Sequence, residues 1–130
     1  MALYDATVNG KPKWTVLLAD AVTCVDSADV NGDGKAEVIA GSPSGWLTVF
    51  ALDGKELWAT PMPHEIRAVS ATGGNILVAC ADARVYQVTC DGRIAGQCHL
   101  AGTPLGHFSG SGKTTFIGDA GGRVTALPSE

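Results

Sequence analysis

Between Asp29 and Glu37 the chain reads Asp-Val-Asn-Gly-Asp-Gly-Lys-Ala-Glu, with oxygen-bearing side chains at the alternate positions 29, 31 and 33. Asp, Asn and Glu are hard oxygen donors, and two glycines let a short loop turn several of them toward one point. The chemistry such a point can do is to hold a hard cation. Calcium takes about six to eight oxygens at roughly 2.3–2.6 Å, and a glycine at the sixth loop position permits the sharp turn. Gly34 stands at that position. The candidate ligands are the side chains of Asp29, Asn31 and Asp33, the backbone carbonyl of Lys35 and the carboxylate of Glu37, with Ca2+ as the ion. Without a cation, Asp29, Asp33 and Glu37 would repel one another, so metal binding is expected to couple to folding.

Asn31-Gly32 and Asp33-Gly34 are also strong turn dipeptides that need no metal. Three spaced acceptors followed by Glu37 exceed what a turn requires. The twelfth loop position holds Ala40 rather than a bidentate Glu, and no amphipathic helical pattern flanks the loop, which excludes an EF-hand. Instead Val38-Ile39-Ala40-Gly41 is a short apolar run ending in glycine, a strand signal. The combination D-x-N-G-D-G-x-x-E-V-I-x-G resembles the calcium loop of FG-GAP (integrin-alpha-like) propeller repeats. That resemblance implies that the loop joins the first two strands of a blade, and that the parent protein is extracellular or periplasmic.

Other groups are weaker candidates. Gly110-Ser111-Gly112-Lys113-Thr114-Thr115 looks like the end of a phosphate-binding loop, but His107 occupies the place of its first glycine and no strand–loop–helix context exists. His64, His99 and His107 lack the spacing of a metal cluster. Arg67 and His107 fall on strands expected to line a central channel, where polar residues are commonly just solvated. Asp82 with Arg84, and Asp119 with Arg123, recur at turns and read as a solvated rim of little energetic weight. Trp46 is either an exposed aromatic on a binding face or a cap on its blade.

The elements that position the acidic loop emerge from internal repeats. Val38–Leu52, Ile76–Cys90 and Thr115–Pro128 align without gaps at a spacing of roughly 40 residues. Upstream of each lies another strand-like run: Val22–Val25, Ile66–Val69 and Leu105–Phe108. The first unit is longer by the acidic loop. Asn9-Gly10, Asp53-Gly54 and Asp91-Gly92 mark two-residue hairpins. Four short strands per repeat is the blade of an all-β propeller. Strands are expected near 22–27, 37–41, 46–52 and 56–60, then 66–71, 75–80, 84–90 and 94–100, then 105–109, 114–118 and 123–127. A single domain, 1–130, results, with a blade-closing segment 1–18, blade one 19–61, blade two 62–101 and blade three 102–130. The opening segment supplies a third strand (2–5) and a fourth (13–18), whereas no fourth strand follows Leu127.

About three blades are too few to close a ring, since propellers have typically four to eight. Open blade faces and a bare sheet edge invite association. The expected partner is a second copy, two chains making a six-bladed homodimeric ring; the alternative is a piece of a longer propeller. The phrases Leu3-Tyr4-Asp5 … Gly10-Lys11-Pro12-Lys13-Trp14 and Val49-Phe50-Ala51-Leu52-Asp53-Gly54-Lys55-Glu56-Leu57-Trp58 also resemble quinoprotein-type (PQQ-like) repeats. That resemblance implies that Trp14 and Trp58 pack between neighbouring blades, with Gly96 in the corresponding place of blade two.

Composition narrows the function. The net charge of −4 and the absence of any basic run argue against nucleic acid. Seventeen glycines suit many short strands and tight turns. No apolar run approaches a membrane span, and Met1–Asp5 has no signal-peptide features. Cys24, Cys80, Cys90 and Cys98 form no C-x-x-C pair; a disulfide framework is not indicated, and buried free thiols are the simplest reading. The favoured function is a non-catalytic, calcium-binding scaffold or interaction module, with a protein or carbohydrate as further candidate ligand. The alternative is a fragment of a polysaccharide lyase or PQQ-type dehydrogenase. Against it, the loops are short and rich in Gly, Ala and Pro, with no carboxylate pair set for glycoside chemistry. No catalytic residue and no quinone site is assigned.

Overall fold

The computed structural model describes residues 2–4, 12–72, 74–100, 102–111, 114–119 and 122–128. Thirteen strands follow in order among them: β1 (Ala2–Tyr4), β2 (Pro12–Thr15), β3 (Cys24–Ala28), β4 (Glu37–Gly41), β5 (Trp46–Phe50), β6 (Glu56–Pro61), β7 (Ile66–Thr72), β8 (Asn75–Cys80), β9 (Arg84–Thr89), β10 (Ile94–His99), β11 (Pro104–Ser111), β12 (Thr114–Asp119) and β13 (Val124–Pro128). They form antiparallel meanders: β3-β4-β5-β6, β7-β8-β9-β10, β11-β12-β13 and the pair β1-β2. The inner strand β7 packs between β3 and β11, so the sheets succeed one another about a common axis. This is the propeller expected from the repeat, with about three blades.

The second strands β4 and β8 run apolar from Val38 and from Ile76 because both their faces are covered. In β4 all five residues, Glu37 to Gly41, are buried. Side chains alternate across a strand, so one strand serves two interfaces. Val38 and Ala40 face back toward Trp14, Val16 and Leu18. Ile39, with Leu47 and Val49 of β5, faces forward onto Ile76, Val78 and Val88 of blade two. Blade two repeats the device: Leu77, Ala79 and Val85 meet Ile117 of blade three. Each large aliphatic buried this way stabilises the fold by about 1.5–3 kcal/mol. Outer strands cover nothing on one side, and β6 and β10 are largely exposed.

The tryptophans tie the rims together. Trp14 donates its indole N–H to the Leu52 carbonyl (2.9 Å), and its ring sits 6.2 Å from that of Phe50. Trp58 repeats the contact one blade on, donating to the Cys90 carbonyl. Both lie between blades, as their place in the repeat implies.

The Asp-Gly hairpins differ from expectation. Gly54 N–H bonds the Ala51 carbonyl while Ala51 N–H bonds that of Lys55, leaving Leu52, Asp53 and Gly54 in the loop. Only Gly54 of the three has positive φ, 93°. The loop is therefore a three-residue type I turn with a glycine bulge, not the two-residue primed turn, which requires positive φ at both central positions. Thr89 to Arg93 repeats it, with Gly92 at φ 90°. The cysteines correct a second expectation: all four are free, but only Cys80 is buried and Cys24 half-buried. Cys90 sits in an outer turn and Cys98 on the outer strand β10, positions that no blade covers.

Candidate metal centre

The acidic loop joins β3 to β4, the first and second strands of blade one. Asp29 builds it: one carboxylate oxygen accepts the N–H of Gly32 and the other that of Gly34, both at 2.8 Å. Gly32 and Gly34 both have φ near 80°, which only glycine adopts freely, and this wraps the backbone around Asp29. Asn31 Oδ1 accepts from Asp33 N–H (3.1 Å), and Asp33 Oδ1 from Lys35 N–H (2.8 Å). Glu37 opens β4 and is only 2% exposed. Its Oε1 accepts the N–H groups of Val30 (2.8 Å) and Asn31 (3.4 Å).

Of the five residues that the spacing singles out, the fold brings the carboxylates of Asp29, Asp33 and Glu37 together, with ligand oxygens within 4.8 Å of one another. Two oxygens on a single calcium lie at most about 5 Å apart, so this donor set fits one such ion. Asn31 and Lys35 share the loop; the contacts they make run to Asp33 and Glu37.

Sequence reasoning missed what fastens the loop to the core. Val30, between two candidate ligands, is 2% exposed and packs in the cluster that joins blades one and two. Asp26, two residues before the end of β3, accepts the N–H of Ala71 on β7 (2.8 Å). The one large apolar residue of the loop, at position 30, is the signal that could have shown the first contact. Nothing in the sequence marks Asp26.

At the opposite end of the inner strands, a groove of about 520 Å³ runs between β3 and β7. Arg67 lines it at a bulge, where the ladder steps from Ile66–Cys80 to Ala68–Ala79 and leaves Arg67 without a partner. Its charge is met by Glu65 at 3.6 Å, and its Nε is buried without a hydrogen bond. His64 is exposed beside it, and the His107 side chain lies outside the described residues. Gly112 and Lys113 also lie outside them; the flanking residues pair as strands, Ser111 opposite Thr114, so a strand and not a helix follows the phosphate-loop lookalike.

Comparison with known proteins agrees with the geometry. The FG-GAP repeat model matches residues 25–45, from the second residue of β3 through the loop and β4 to the turn before β5. The chain carries an FG-GAP repeat. Comparison with curated proteins finds no match. Among solved structures, Saccharomyces cerevisiae Sqt1 superposes with a TM-score of 0.80 at 13% identity, over 92% of this chain and 38% of that one. BamB from Moraxella catarrhalis gives 0.71 at 21%, over 96% and 36%. The β-propeller domain of Myceliophteria thermophila Cps50 (Swd1) gives 0.68 at 15%, over 87% and 37%. At these identities the likeness shows the fold: a β-propeller in which the FG-GAP repeat forms the inner half of blade one. The chain spans well under half the length of each of these structures.

Proposed function

We propose that the chain is a non-catalytic, calcium-binding propeller module whose partner is a second copy of itself. The observation behind the metal is the convergence of Asp29, Asp33 and Glu37, one of them buried, on a loop whose Val30 is set in the core. Calcium bound there would offset two of the three carboxylate charges and relieve their mutual repulsion, and the Asn31 side chain and the Lys35 carbonyl would complete the oxygen set. Because Val30 belongs to the join between blades one and two and Glu37 holds its N–H, ordering the loop would brace that join. The acidic cluster is tied into backbone N–H bonds, an arrangement that supports a structural ion over acid–base work at a lyase or dehydrogenase site.

Thermal unfolding in calcium, in magnesium and in EDTA tests the metal. A ligand bound only by the native state adds about 2.7 kcal/mol at a hundred times its Kd, a shift of several degrees for a chain this size. Calcium should raise the midpoint and EDTA abolish the rise, while Asp33→Asn should blunt it. A midpoint indifferent to calcium at millimolar excess removes the metal from the proposal. Solution mass by analytical ultracentrifugation tests the partner.

A further inference from the structure

The geometry points to a specific interface between two copies: Val124 on β13 of one chain enters the groove on the back of blade one of the other, and β13 takes the seat that β1 holds beside β2. This rests on the self-association proposed above and names its surfaces.

The first support is burial at equivalent positions. In the ladders, Leu47 lies opposite Gly41, Val85 opposite Ala79 and Val124 opposite Gly118. These are the same place in blades one, two and three. Leu47 is fully buried and Val85 is 3% exposed, each against the following blade, yet Val124 is 78% exposed. The second support is the matching cavity. Leu47 packs in a cluster with Val78, Cys80 and Tyr86 of blade two. Their counterparts in blade one, by the same registers, are Ala40, Ser42 and Thr48. Those three, with Trp46, line an open groove of about 500 Å³. The knob is thus uncovered and the hollow only partly filled, its floor residue Ala40 packing with Trp14, Val16 and Leu18, and a two-fold pairing would complete both at once.

The third support is strand register. Trp14 and Trp58 are equivalent, since each bonds the same carbonyl of the next blade's turn. Val49 sits opposite Trp58, and Leu3 opposite Trp14. Phe50 lies opposite Val38 as Leu127 lies opposite Thr115, so Ala126 matches Val49 and therefore Leu3. β1 and β13 are both third strands. β1 is held by three residue pairs with a register shift, whereas β13 has five regular pairs to β12 and no strand on its other edge among the described residues. In the closed blade the longer, better-anchored strand displaces the shorter.

The test is sedimentation of the full chain and three variants. Wild type should run at twice its 13.3 kDa mass. Val124→Asp should run as a folded monomer, with an unchanged circular dichroism spectrum because the residue is exposed in the single chain. Trp46→Lys should also weaken the dimer, and Val124→Asp combined with Trp46→Lys should restore it, because the new charges face each other across the interface. A wild-type dimer that persists in Val124→Asp overturns this interface while leaving self-association standing. A wild-type chain that stays monomeric at all concentrations overturns both.

Discussion

Trp58 donates its indole N–H to the carbonyl of Cys90 at 2.8 Å, and its six-membered ring lies against Gly92 in the same turn. A Cβ at Gly92 would come within 2.8 Å of Thr60 Oγ1 and 3.0 Å of Trp58 Cε3, on a backbone already at φ 90°. The turn thus needs glycine twice, once for its conformation and once for the ring that docks on it.

Gly92→Ala is expected to cost about 2–3 kcal/mol, the left-handed backbone accounting for about 1–2 of it. Two controls separate the causes. Gly122 has φ 82°, and among the described residues nothing lies within 4 Å of a Cβ there, so Gly122→Ala should lose only the backbone part. Gly96 has no positive φ, and a Cβ there meets nothing nearer than Gln87 Oε1 at 4.0 Å, so Gly96→Ala should change stability by under about 0.5 kcal/mol. Urea unfolding of the three variants checks the order.

Glu37 permits a clean separation of structural and metal roles. Glu37→Ala leaves the buried N–H of Val30 without its acceptor, and should cost about 2–4 kcal/mol even in EDTA. Glu37→Gln keeps a carbonyl oxygen for Val30, so in EDTA it should lose about 1 kcal/mol or less. It should nevertheless respond less to calcium than wild type does, because one carboxylate charge is gone. Melting each variant with and without calcium reads both quantities.

How far the sequence could be read depended on the range of the interaction. Strand positions were legible because Val38-Ile39-Ala40 and Ile76-Leu77-Val78 are covered on both faces and stay apolar throughout. Asp29, Asp33 and Glu37 were legible because the loop that gathers them is local. The turns at Asp53-Gly54 and Asp91-Gly92 were placed correctly but given the wrong length. The dipeptide fits a primed two-residue turn as well as a type I turn closed by a glycine bulge, and the choice is made by the ladder on either side. Asp26 reaching Ala71 and Val30 entering the inter-blade core are contacts across blades, which no local pattern encodes. The exposure of Cys90 and Cys98 likewise follows from which strand is outermost.

The buried thiol of Cys80 sets a pH dependence. Burial above all, with the nearby Asp82 charge, pushes its pKa from 9.0 up to about 12. The unfolded chain therefore releases this proton near pH 9 while the folded chain keeps it. The contribution is fully present below pH 9 and declines as pH rises toward 12, by less than about 1.4 kcal/mol per pH unit. Cys24, raised in the same direction by burial, adds the same sign. Urea midpoints should fall between pH 8 and pH 10, and less steeply in Cys80→Ala. Native iodoacetamide labelling should reach Cys90 and Cys98 well before Cys80.

Gly41 ends β4 beside Ile66, the first residue of β7 in blade two. A Cβ there would lie 2.5 Å from Ile66 Cγ2 and 2.8 Å from Cys24 Sγ. Ile66 is fully buried, its N–H bonds the Ser42 carbonyl, and its own carbonyl accepts the Thr23 hydroxyl at 2.9 Å, so neither backbone can easily retreat. Gly41→Ala should therefore destabilise by about 1–3 kcal/mol through overpacking. Ile66→Ala should cost about 2–5 kcal/mol through the cavity it leaves. The double variant removes the clashing methyl and partly fills that cavity, so its loss should be smaller than the sum of the two by about 0.5–3 kcal/mol. Additivity within about 0.3–0.5 kcal/mol would mean that Gly41 and Ile66 are not in contact at this point.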